Sequence, residues 1–106
     1  MNKKYLIIIY LLTNFLFTQK ILIPMDESQN DHLKAYGLAF FILNNNETVD
    51  WLLNFKGGSF LIDNNNYITQ ECILRGITYQ EISVSQLINI YEVSEQNNMD
   101  IILLEK

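Results

Sequence analysis

The stretch from Lys20 to Ser59 constrains the fold of this chain more than any other. Ile21-Leu22-Ile23 is an unbroken apolar run, which is how a strand covered on both faces reads. Pro24 has no N–H to donate and ends that run, leaving Met25, Asp26 and Glu27 in a loop at the strand's carboxyl end. Ser28 and Asp31 then have the spacing of a capping box, and a helix is predicted from about Gln29 to Leu43. Leu33, Tyr36, Phe40 and Leu43 recur at helical spacing and are its predicted buried stripe. Gly37 shares that stripe; a mid-helix glycine costs about 1 kcal/mol relative to alanine, which close approach to a sheet would offset. Asn44–Asn46 end the helix, since asparagine tolerates the left-handed position after a helix. Val49, Trp51 and Leu53 alternate with Asp50, Leu52 and Asn54 as a second strand, and Lys56-Gly57-Gly58-Ser59 is a turn.

Downstream, Phe60-Leu61-Ile62 either closes a hairpin or extends into a crossover. A short helix is predicted from about Tyr67 to Arg75 with Gly76 just beyond it, then a strand over Ile77 to Ile82. Ser83 is the candidate cap of a further helix with Val84, Leu87, Ile88 and Tyr91 at i, i+3, i+4 and i+7. Asn97 and Asn98 close it, and Ile101–Leu104 is a final apolar strand. Strand and helix thus alternate, with apolar runs in place of clean inside-outside patterning. The expectation is an α/β fold with a doubly wound, mainly parallel, flavodoxin-like sheet. The chain ends two residues after a strand that no helix covers, so an incomplete N-terminal part of a longer protein is expected.

With 106 residues there is room for one small domain, and 49% hydrophobic against 18% charged residues places it among globular chains. Met1-Asn2-Lys3-Lys4 is a short positive region, Tyr5 to Phe17 is apolar apart from Thr13 and Asn14, and polar Thr18-Gln19-Lys20 follows. These are the three parts of a secretory signal peptide over residues 1–18, and the apolar run is short for a membrane span. Export to the periplasm or outside the cell is therefore expected, with an α/β domain over 19–106 and no stable span after cleavage. Loss of the leader removes two lysines and no acid, taking the net charge from −5 to −7. The seven basic residues are scattered, which argues against nucleic acid. Cys72 is the single cysteine, so neither an internal disulfide nor a cysteine metal cluster can form.

In an open parallel sheet, ligands bind beyond the strands' carboxyl ends. Those ends here carry Pro24–Glu27, Asn54–Ser59, Ser83 and Glu105-Lys106. Asp26 is the candidate carboxylate, and Lys56, Gly57, Gly58 and Ser59 form a candidate anion-binding turn, in which glycines bare backbone N–H groups beside a cation. That turn lacks the spacing of a P-loop and of a G-x-G-x-x-G dinucleotide loop, and no cofactor or metal is assigned. His32, the only histidine, is an outside candidate for base or ligand. Cys72 falls within the short helix, as a buried small hydrophobe does. The Ile101–Leu104 strand offers an unpaired edge to which a protein partner could add a strand.

The strings KILIPMDESQNDHLKAYGLAF, VDWLLNFKGGSFL and ECILRGITYQEIS resemble the N-terminal portion of an exported bacterial family commonly labelled asparagine synthetase B. The resemblance covers Lys20 to Lys106. It implies a signal peptide, a longer chain and a class I glutamine-amidotransferase-like α/β sheet. Three functions are expected in turn. The first is an exported protein binding a small ligand at Asp26 and Lys56–Ser59; the second is a non-enzymatic envelope module that binds protein. The third, implied by the label alone, is a glutamine-dependent amidotransferase or ligase.

Overall fold

The computed structural model describes residues 20–96 and 101–106. The signal-peptide reading of residues 1–18 and the helix stop at Asn97 and Asn98 lie outside the described residues. In chain order the elements are β1 (Lys20–Ile23), α1 (His32–Asn44), β2 (Val49–Leu52) and β3 (Ser59–Asp63). They continue with α2 (Asn66–Arg75), β4 (Gln80–Ile82), α3 (Val84–Gln96) and β5 (Ile101–Leu104).

The strands form one sheet in the order β4-β1-β3-β2-β5, and every neighbouring pair is antiparallel. The expected doubly wound, mainly parallel α/β sheet is not what forms; the fold is α+β. Two causes are visible. Residues 53–58 turn β2 straight back into β3, so Phe60-Leu61-Ile62 closes a hairpin, with Trp51 opposite Phe60. β3 then inserts between β1 and β2, and β1 between β3 and β4, which is the split β-α-β (ferredoxin-like) order for β1 to β4. The apolar runs misled because helices cover both faces of this antiparallel sheet. Ile21, Ile23, Val49, Phe60 and Ile62 pack under α1 and α2, whereas Leu22, Leu52, Leu61 and Ile82 pack under Leu87, Ile90 and Tyr91 of α3. A strand buried on both sides reads as continuous apolar sequence whichever way its neighbours run.

Helix α1 buries a different stripe from the predicted one. Ala35, Leu38, Ala39 and Ile42 face the sheet, while Leu33, Tyr36 and Phe40 are 81%, 50% and 67% exposed. The helix is apolar on more than one side, so spacing alone could not choose. Two alanines let the backbone approach the strands, which the larger side chains would prevent. A Cβ added at Gly37 would meet nothing within 4 Å, so this glycine does not lie against the sheet. The cap also moves. Asp31 accepts the Lys34 N–H and starts the helix at His32, while Ser28 turns back to Asp26.

The remaining boundaries follow local chemistry. Gly76 takes the left-handed conformation after α2, as read from the sequence, and its N–H reaches the Ile73 carbonyl. The Ile77 N–H extends that cap to the Cys72 carbonyl, which shortens the expected strand to Gln80–Ile82. Ser83 and Gln86 make a reciprocal box at the start of α3: the Ser83 N–H donates to Gln86 Oε1 at 2.9 Å, and the Gln86 N–H to Ser83 Oγ at 3.3 Å.

Candidate functional site

Carboxyl ends alternate in an antiparallel sheet, so the predicted site divides. β1 and β2 run the same way and finish at one end; β3, β4 and β5 finish at the other. Asp26 and Lys56–Ser59 therefore stay together, joined by a 3.0 Å hydrogen bond from the Met25 N–H to the Lys56 carbonyl. Ser83 and Glu105-Lys106 lie at the opposite end.

At the shared end, the predicted binding groups are occupied by local structure. The Asp26 carboxylate accepts both the N–H and the hydroxyl of Ser28, which holds its pKa below the usual carboxylate value. His32 Nε2 donates to the Asp26 carbonyl at 2.8 Å, so the ring staples the loop to the first turn of α1. Ser59 is fully buried and its hydroxyl lies 2.9 Å from the Phe55 carbonyl and 3.1 Å from that of Lys56. Gly57 has φ +77°, and a Cβ there would lie 2.5 Å from the Met25 carbonyl oxygen; the glycine is what permits the loops to touch. The Gly58 carbonyl accepts the Trp51 indole N–H at 3.0 Å. Lys56 remains exposed, with its ammonium 6.0 Å from the Phe55 ring centre. Gln29, which the sequence did not single out, holds this end together. Its amide donates to the Pro24 and Thr78 carbonyls at 2.8 and 2.9 Å, and its oxygen accepts the Thr78 N–H at 2.7 Å.

A second feature escaped sequence reasoning. Tyr36, Ala39, Phe40 and Leu43 from α1 and Trp51, Phe60 and Leu104 from the sheet line an apolar groove of ≈ 220 Å³. Its floor is a train of aromatic rings: Trp51 stacks on Phe60 at 6.1 Å, and Phe60 meets the edge of Tyr36 at 5.9 Å. The groove exists because α2 lies on one side of α1, where Phe41 contacts Tyr67 and Arg75, and among the described residues no element covers the other side. Ile102, opposite Trp51 in the β2–β5 ladder, continues this surface to the sheet edge. The signal available in the sequence was the excess of large apolar residues around α1.

Another cavity, ≈ 360 Å³, is polar and lies at the other end, lined by Asn46, Glu47, Thr48, Asp63, Asn64 and Asn65. Asp63 there pairs with Lys20 at 2.9 Å. Cys72, on α2, is fully buried in the core, and burial pushes its thiol up to about 11, which leaves it protonated and unreactive at neutral pH. Among the described residues, no group of three or more His, Cys, Asp or Glu side chains is placed to hold a metal ion. No described helix is long and apolar enough to cross a membrane. No family model matches the chain, and no curated protein or solved structure is significantly similar to it.

Proposed function

We propose that this chain is an exported, non-enzymatic interaction module related to the family labelled asparagine synthetase B, and that it docks protein across the α1–β5 face. The observation that carries the reading is the apolar surface formed by Leu33, Tyr36 and Phe40, the adjoining groove and Ile102. A small-molecule site of comparable size ordinarily carries a few convergent polar groups that orient its ligand. The groove is lined by aromatic and aliphatic side chains, as the centre of a protein interface is. The ligand-binding alternative at Asp26 and Lys56–Ser59 is the weaker reading, because the Asp26, Gly58 and Ser59 acceptors and donors are already paired within the loops. An amidotransferase reading would need a reactive thiol, and Cys72 is both buried and protonated.

The test is site-specific photocrosslinking in the expressing cell's envelope. A probe at Phe40 is expected to give a discrete protein adduct, and a probe at exposed Gln70 on α2 is expected to give none. Equal yield at both positions, or no adduct at Phe40, refutes the reading.

A further inference from the structure

Helix α1 carries a glycine for which the described residues supply no packing reason. Gly37 sits mid-helix on the exposed side, where a Cβ would meet nothing within 4 Å, although any other non-proline residue would make a better helix. Its neighbours on that side are Leu33, Tyr36 and Phe40, all well exposed. Together these four stand at i, i+3, i+4 and i+7, the outline of a hole that accepts one side chain from a facing helix. The hole is empty at Gly37, and the most protruding aromatic ring beside it is that of Phe40.

Resting on the interaction reading above, we propose that the protein docked on this face is a second copy of the chain, with the two α1 helices packed antiparallel. Phe40 of each copy then seats over Gly37 of the other. An isologous interface must complement itself about a two-fold axis, and a patch that carries both the knob and the notch meets that requirement. The same arrangement opposes the two helix dipoles and brings Lys34 of each copy toward the carbonyl end of the other helix, where a cation is favoured. The area is sufficient. Leu33, Tyr36, Phe40, Ile102 and the groove rim leave on the order of 500 Å² of apolar surface per copy, hence roughly 1,000 Å² per dimer, the lower bound for a specific interface. An interface at this lower bound fits a reversible dimer better than an obligate one.

Sedimentation equilibrium of the full gene product, purified after expression with its own leader, tests this from about 1 to 200 µM. The mass is expected to rise to that of two chains across the range. Raising the salt should strengthen association, because the buried surface is apolar and the chain's net negative charge repels its copy. Gly37→Gln fills the notch and removes the helix penalty. It is expected to weaken the dimer at least tenfold while raising the thermal midpoint of the monomer. Loss of association through misfolding would lower that midpoint instead, so the two effects separate. A wild-type chain that stays monomeric at 200 µM, or a Gly37→Gln dimer of undiminished affinity, overturns the proposal. A Phe40 crosslink to a different protein also overturns it, yet leaves the interaction reading standing. Absence of any Phe40 adduct removes both.

Discussion

Replacing Gln29 with alanine should be the most damaging single polar substitution in the β1–α1 region. The side chain is 5% exposed and links two loops 49 positions apart in the chain. Truncation strands the Pro24 carbonyl and both the N–H and the carbonyl of Thr78, each now served at 2.7 to 2.9 Å. At about 1 kcal/mol net for each hydrogen bond, the loss is about 3 kcal/mol, with the vacated volume adding to it. For a domain of this size that corresponds to a fall of roughly 12–24 °C in thermal midpoint. Urea denaturation followed by circular dichroism should show a lower midpoint at unchanged slope, because the surface exposed on unfolding is nearly the same. Gln29→Glu sharpens the test. It can still accept the Thr78 N–H, but its second oxygen faces two carbonyls, so its folded pKa should rise above the ordinary value of about 4.3. Stability is then fully present below about pH 4 and lost as pH rises through the folded pKa. A Gln29→Ala protein within 0.5 kcal/mol of wild type, a bound set by ordinary surface substitutions of about that size, would refute the role of this amide as a tie between loops.

Three further outcomes follow from the packing. Gly57→Ala must place a Cβ against the Met25 carbonyl at positive φ, and should cost about 2–4 kcal/mol in urea denaturation from backbone strain plus the Met25–Lys56 hydrogen bond. Cys72 should resist thiol reagents in the native state. Because its folded pKa is about 11 against an ordinary 9.0, wild type should lose stability relative to Cys72→Ala as pH rises from 9 to 11, by about 2–3 kcal/mol in all. Ser83→Ala removes the cap of α3 and should cost about 1 kcal/mol by the same denaturation assay.

Some boundaries were legible because they had a chemical cause within a few residues, although the start of α1 and the start of β4 were not. Pro24 ended β1, Gly76 ended α2, and Ser83 started α3, where the structure adds Gln86 as its partner. Strand direction was not legible, because burial on both faces erases the alternation that would have marked an antiparallel sheet. The inner face of α1 was hidden for a related reason: small Ala35 and Ala39 outrank Leu33 and Phe40 at the sheet on shape, and hydrophobicity carries no such information. The candidate site fared similarly. Sequence put Asp26 and the Lys56–Ser59 turn at strand carboxyl ends on the premise of a parallel sheet; they adjoin because β1 and β2 run the same way. Only the hydrogen bonds reveal that Gly58 and Ser59 serve the turn itself. Gln29 carried no sequence signal, since one glutamine among polar loop residues looks like any other.

The position of β1 bears on the order in which the molecule can assemble. It is the first of the described strands to be synthesised, yet it lies inside the sheet between β3 and β4, and Ile21, Leu22 and Ile23 are almost wholly buried. Ile21 meets Ile62 and Leu22 meets Gln80, partners about forty and sixty residues later. Among the described residues, Ile21-Leu22-Ile23 finds its first strand partner only once β3 has been made. A chain emerging from the ribosome thus cannot close this sheet around β1 until Asp63 has followed it, so these long-range pairings come late in folding.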